Sequence, residues 1–309
     1  MEFRTKVDIA PAPFQIEPCE RILFVGSCFA DEMGRRFTEE KFRTVVNPFG
    51  VMYNPVSILH TIQQIHEPFD TAILTLGTNH VYVLRETGEV VDNCQKRPQH
   101  LFEERELSVD ECADSLAEAI SLLRSHNPDV KVILTVSPIR YRKYGYHGSQ
   151  LSKATLLLAV EKISTPTYNP SPSLPEGEGD QPILTSPKER KSDCTHLPLL
   201  RGGMGRGCRD RAHYFPAYEI VNDELRDYRF YKPDMLHPSE QAVEYIYERF
   251  AEVYFSDATK AFLKEWAPLK AALAHRPFNA ESEEYKQFLS ETSLKVAALT
   301  QKYPNFIAE

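Results

Sequence analysis

Residues 21–37 read RILFVGSCFADEMGRRF, and the change of period inside this stretch decides the fold class. Arg21-Ile22-Leu23-Phe24-Val25 is a short apolar run ended by Gly26, the pattern of a buried strand. Phe29, Met33 and Phe37 then recur at every fourth residue, which is one face of a helix. A strand that turns through a glycine into an amphipathic helix is the opening half of a β-α-β unit.

Working outward, the alternation repeats. Phe42 to Val46 reads as a second strand, ended by Asn47-Pro48-Phe49-Gly50, and Val56, Leu59, Ile62 and Ile65 mark a second helix. Thr71 to Leu76 is a third strand, ended by Gly77, and Val81 to Val91 reads as a hairpin turning at Glu86-Thr87-Gly88-Glu89. Cys112, Leu116, Ile120 and Leu123 give a third helix, Val130 to Val136 a fourth strand ended by Ser137-Pro138, and Leu151 to Ile163 another helix. The strands are continuous apolar runs and do not alternate. That predicts a parallel sheet covered by helices on both faces. Ligands of such sheets bind beyond the carboxyl ends of the strands. The residues to weigh are therefore Gly26-Ser27-Cys28, Asn47 to Gly50, Gly77-Thr78-Asn79-His80 and the segment after Ser137-Pro138.

The remaining chain divides by composition. Residues 1–20, with Pro11, Pro13 and Pro18, read as a surface arm. Residues 164–211 are crowded with proline and glycine, as in SLPEGEGDQP and RGGMGRG, and keep no helical or strand period apart from PILT. They are expected to be a disordered insertion, since they bury too little apolar surface to offset their ordering entropy. The α/β domain is then 21–163 with 212–255, and 256–309 is a helical extension. Tyr218 to Leu225 is expected to be helical, as is Ser239 to Phe250 with Ala242, Ile246 and Phe250 on one face. The extension is expected to hold two amphipathic helices, around Phe262-Trp266-Leu269 and Phe288-Leu294-Leu299.

Of the 309 residues, 42% are hydrophobic, enough for a sizeable core, and the net charge is −8. An acidic chain disfavours nucleic acid or an anionic membrane as its partner. No run approaches the roughly 20 apolar residues of a membrane span. The N-terminus lacks a signal-peptide core, so a cytoplasmic location is expected. Six scattered cysteines in such a chain read as free thiols.

Three short motifs carry the candidate chemistry. Gly26-Ser27-Cys28 would place a nucleophile at a helix N-terminus, whose partial charge favours a thiolate or alkoxide; it could equally be a tight turn. Gly77-Thr78-Asn79 could offer an amide to a developing oxyanion, or could be a plain loop. In Asp234-Met235-Leu236-His237 the carboxylate can fix the imidazole's tautomer, leaving the other ring nitrogen as general base. The same residues could merely cap the next helix.

Taken together, these motifs resemble the blocks of the SGNH (GDSL-type) hydrolase superfamily. The run RILFVGSCFADEMG, followed by GTN and DMLHPSEQA, more closely resembles the GSCFA family within it. The resemblance covers about residues 2–163 and 212–305. It implies a three-layer, flavodoxin-like α/β sandwich. It also implies hydrolysis of a small acyl ester, such as an acetyl ester, on a small molecule or carbohydrate. Carried over by position, Asp234 and His237 match the DxxH block, and Gly77 and Asn79 match the third block. Gly50 matches the glycine whose N–H joins the oxyanion hole. His80 stands where the third block has Asp, and Gly-Ser-Cys-Phe stands for Gly-Asp-Ser-Leu. An ungapped register makes Cys28 the nucleophile; a slip of one residue makes it Ser27. No metal or organic cofactor is required by this chemistry. An acyltransferase would use the same residues, and the altered first block leaves room for a non-catalytic binding module.

Arg140, Tyr141, Arg142 and Tyr144, after the fourth strand, are candidates to grip the substrate or are a polar loop. Cys194, His196, Cys208 and His213 match no common zinc spacing. His60 and His66 read as partly solvated surface histidines, and the basic residues between Lys188 and Arg211 as a solvated stretch.

Overall fold

The structure, a computed structural model, describes residues 4–92, 98–164, 212–279 and 281–307. The readings for Cys94 and for residues 165–211, including Cys194, His196, Cys208 and the basic stretch, lie outside the described residues.

The chain runs β1 (Arg21–Gly26), α1 (Cys28–Glu39), β2 (Arg43–Val46), α2 (Pro55–Gln63) and β3 (Thr71–Leu76). An antiparallel ribbon of β4 (His80–Leu84), β5 (Val90–Val91) and β6 (Phe102–Glu106) comes next. Then come α3 (Val109–His126), β7 (Lys131–Val136) and α4 (Gly145–Ser164). The last part holds β8 (His213–Tyr214), the single turn α5 (Ala217–Glu219), a π-helical stretch over Ile220–Leu225 and α6 (Glu240–Tyr254). It ends with α7 (Asp257–Ala274) and α8 (Glu283–Lys302).

The main sheet has the order β2-β1-β3-β7-β8 with every pair parallel. Its two faces are both buried, which is why its strands read as unbroken apolar runs. Ile22, Phe24, Ile73 and Ile133 point to one side, against Phe37 of α1 and Ile246 and Phe250 of α6. Leu23, Val25, Leu74 and Leu134 point to the other, against Ile58 of α2, Leu116 of α3 and Leu156 of α4. This is the expected α/β sandwich.

Some details differ from the sequence reading. Strand β6 reads FEERE, and only Phe102 is buried; a strand exposed on both faces carries neither an apolar run nor an alternation. Helix α4 begins at Gly145 and not at Leu151. The arm is not wholly superficial: Ile16 and Cys19 are fully buried, and Ile16 N–H donates to Tyr254 O at 2.7 Å. In α8 the inward residues are Thr292 and Leu299, one heptad apart, so Leu294 lies on the far side and is 69% exposed.

The two C-terminal helices dock on the sandwich. Phe262, Trp266, Leu299 and Phe306 form a cluster with Cys19, and Trp266 Nε1–H donates to Glu39 O at the end of α1. Cys19, Cys28 and Cys112 are free thiols. Among the described residues no helix is long and apolar enough to cross a membrane.

Candidate active site

The turn from β1 to α1 is pressed against β3. Gly26 has φ +144°, and a Cβ there would lie 2.1 Å from Thr75 O, so only glycine fits. Ser27 N–H donates to Thr75 O at 3.1 Å. The Ser27 side chain has no exposed surface; its Oγ lies 3.2 Å from Thr75 Oγ1 and accepts the Phe29 N–H, capping α1. Cys28 is the first residue of α1, so its N–H has no intrahelical acceptor. Its half-buried thiol opens on a cavity of about 670 Å³ at the carboxyl end of the sheet. Tyr53, Asn54, Thr78, Tyr141 and His237 share that cavity.

His237 is delivered by the loop before α6. Asp234 Oδ1 accepts the backbone N–H of Leu236 at 2.8 Å and of His237 at 3.0 Å, with Met235 at φ +58° between them. Asp234 Oδ2 lies 2.6 Å from His237 Nδ1. A carboxylate can only accept, so Nδ1 carries the proton and Nε2 is the free ring nitrogen. The backbone N–H groups of His237 and then Leu236, with the imidazole, hold the Asp234 carboxyl down at about 2. The loop is anchored twice. Arg140 N–H donates to Leu236 O, and its guanidinium to Met235 O. Lys232 Nζ donates to Glu32 Oε1 at 2.5 Å, on the helix that begins at Cys28.

Other expected residues fall differently. Arg140 and Tyr141 line the cavity; Asn79, Gly50 and Gly77 do not. Asn79 Nδ2 donates to Leu107 O at 2.8 Å, and its N–H to Ser152 Oγ. Gly50 N–H donates to Asn47 O in a turn. Gly77 N–H donates to Tyr53 O, and a Cβ at Gly77 would meet Tyr141 Oη at 2.3 Å. These groups brace the loops around the cavity. The backbone N–H groups of all three and one amide hydrogen of Asn79 are engaged by neighbouring oxygens, and the oxyanion role expected of them stays a proposal.

Two wall residues escaped the sequence reading. Asn54 Oδ1 caps α2 by accepting the Ser57 N–H, and Asn54 lines the cavity. The signal was an Asn immediately before Pro55 at a strand-to-helix turn. Tyr53 Oη lies 3.6 Å from Cys28 Sγ, and burial, followed by this contact, pushes its phenol up to about 12. His80 also lines the cavity; it stacks on Tyr144 with ring centroids 3.6 Å apart, and burial pulls its pKa down.

Among the described residues no cluster of His, Cys, Asp and Glu is placed to hold a metal ion. His213, one of the zinc candidates, instead pairs with Tyr254 Oη at 2.6 Å. His60, expected to be a partly solvated surface residue, is half-buried on α2 and pairs with Asp92.

The molecule is thus a parallel α/β sandwich that gathers a thiol and an Asp-supported imidazole at one cavity. Its sequence matches the GSCFA family over residues 21–72, 62–171 and 203–250, and the C-terminal domain of GSCFA domain proteins over 266–307. The chain belongs to the GSCFA family. No curated protein matches it in sequence. Two solved structures are similar at low identity. One is a carbohydrate esterase family 3 protein from Talaromyces cellulolyticus, at 9% identity and TM-score 0.37, covering 80% of this chain and 99% of that one. The other is an acetyl esterase mutant with acetate ion, at 10% identity and TM-score 0.36, covering 82% of this chain and 100% of that one.

Proposed function

We propose that this protein is a hydrolase of the SGNH type that cleaves a small acyl ester through Cys28. The observation that carries the reading is that Cys28 and His237 open on one cavity, while the Ser27 hydroxyl is buried. In this mechanism His237 Nε2 takes the thiol proton and the sulfur attacks the ester carbonyl, forming a C–S bond. The oxyanion is held by the Cys28 N–H and the Asn54 amide. Collapse breaks the C–O bond, and the imidazolium returns its proton to the leaving alcohol. Water, activated by the same imidazole, then cleaves the thioester. Asp234 stays ionised and orients the ring.

The test is hydrolysis of 4-nitrophenyl acetate by the purified protein and three variants. Cys28→Ala and His237→Ala are expected to lose activity by about a hundredfold or more. Ser27→Ala is expected to keep it. An active Cys28→Ala protein would overturn the assignment.

A further inference from the structure

The cavity wall contributed by the segment after β7 is basic. Arg140, Arg142 and Lys143 all line it. Among its described lining residues Asp92 is the only carboxylate, and its Oδ1 lies 2.8 Å from His60 Nδ1. Lys143 is answered by Glu104 at 3.0 Å. Among the described residues neither guanidinium group has a carboxylate partner. Arg140 donates to a carbonyl and lies against the rings of Tyr146, at 4.3 Å, and Tyr231, at 5.5 Å, which fix its place. Arg142 is exposed and has no ion-pair partner among the described residues.

This cluster stands out in a chain of net charge −8. These two arginines line a concave site together with Cys28 and His237. Low-dielectric walls focus such a field, and guanidinium forks match carboxylate or phosphate oxygens.

We infer that the ester accepted here carries a negative charge, a carboxylate or a phosphate, within reach of Arg140 and Arg142. The inference rests on the acyl-ester reading above. It makes the basic wall a selector of substrate, separate from the acyl chemistry at Cys28.

The test compares 4-acetoxybenzoate with its neutral methyl ester, and adds 4-acetoxyphenyl phosphate. At low salt kcat/KM is expected to be about tenfold higher for the charged substrates, and the preference to shrink in about 0.5 M salt. The better of the two anions names the group. Arg142→Gln is expected to narrow the ratio of charged to neutral rates. Equal rates for charged and neutral esters would overturn the inference and leave the acyl-ester reading intact. Turnover of none of the three would overturn that reading. Calorimetric titration with 4-hydroxybenzoate against methyl 4-hydroxybenzoate then decides the charge question: a preference for the anion that Arg142→Gln removes upholds it, and no preference overturns it.

Discussion

Ser27 and Cys28 are neighbours with opposite fates. The N-cap position requires a side-chain oxygen folded back onto the first helical turn, and Ser27 supplies it. The next residue then projects outward. Ser27→Ala is accordingly expected to cost about 1 kcal/mol in urea unfolding through the lost cap. Asp234 gives a pH prediction. Its carboxyl is held at about 2, below its unfolded value near 3.9. Its contribution to the loop is therefore complete above the unfolded value and is lost as pH falls through about 2. From neutral pH down to about pH 4 Asp234 therefore stays ionised and should add no step of its own to a pH profile of kcat/KM. A step above pH 4 that Asp234→Asn removes, read from a pH-rate profile, would overturn the assignment.

Helix α4 joins the strand ends that shape the cavity. Lys153 is fully buried in it, and its Nζ donates to Gly77 O at 2.6 Å and Ser137 O at 2.7 Å, just past β3 and β7. Burial drives its pKa well below the usual lysine range. Lys153→Met would leave two buried carbonyls without donors, at a cost of about 2 kcal/mol. The sign of the pH effect follows from the depressed value. Between it and the unfolded value near 10.4 the unfolded chain binds more protons, so wild-type stability climbs with pH. The advantage over Lys153→Met is expected to grow as pH rises toward the unfolded value near 10.4 in urea unfolding. A constant or shrinking difference would contradict a buried, proton-losing lysine.

Across the whole molecule, α1 is held at both ends. Its first residue is the thiol; some 18 Å away, Trp266 and Lys270 of α7 hold its last turn and cap through Glu39 and Glu40. The Cys28 thiol and the docking of the C-terminal helices therefore lie at opposite ends of α1. Residues Ser164 and Ala212, where the chain leaves and re-enters the described structure, line one cavity, distinct from that at Cys28, beside Val7 and Pro11. The family match also leaves out 172–202. That 164–211 is an insertion into a finished domain stays a proposal; Ser164 itself is the last residue of α4, and the family match reaches 171 and resumes at 203. Replacing 166–208 by a short Gly-Ser joiner is expected to preserve the far-UV spectrum and a cooperative melt. Failure of that variant to fold would reject the insertion.

The alternation of strands and helices was legible because burial on both faces writes long apolar runs, and helix α1 shows its face at a four-residue period. Cys28, Asp234 and His237 were legible too, since each sits in a short motif whose local geometry is set by its neighbours. Strand β6 was not, because a charged strand exposed on both faces has no apolar signature. Neither was the fate of Asn79, Gly50 and Gly77. Whether an N–H faces the cavity or a neighbouring carbonyl depends on which loop arrives beside it, and Leu107, Asn47 and Tyr53 took those donors. Local pattern determines the elements and the local turns, because those energies lie within a few residues. Which donors remain free at the cavity is settled by contacts between loops distant in the chain, and only the packed molecule brings those together.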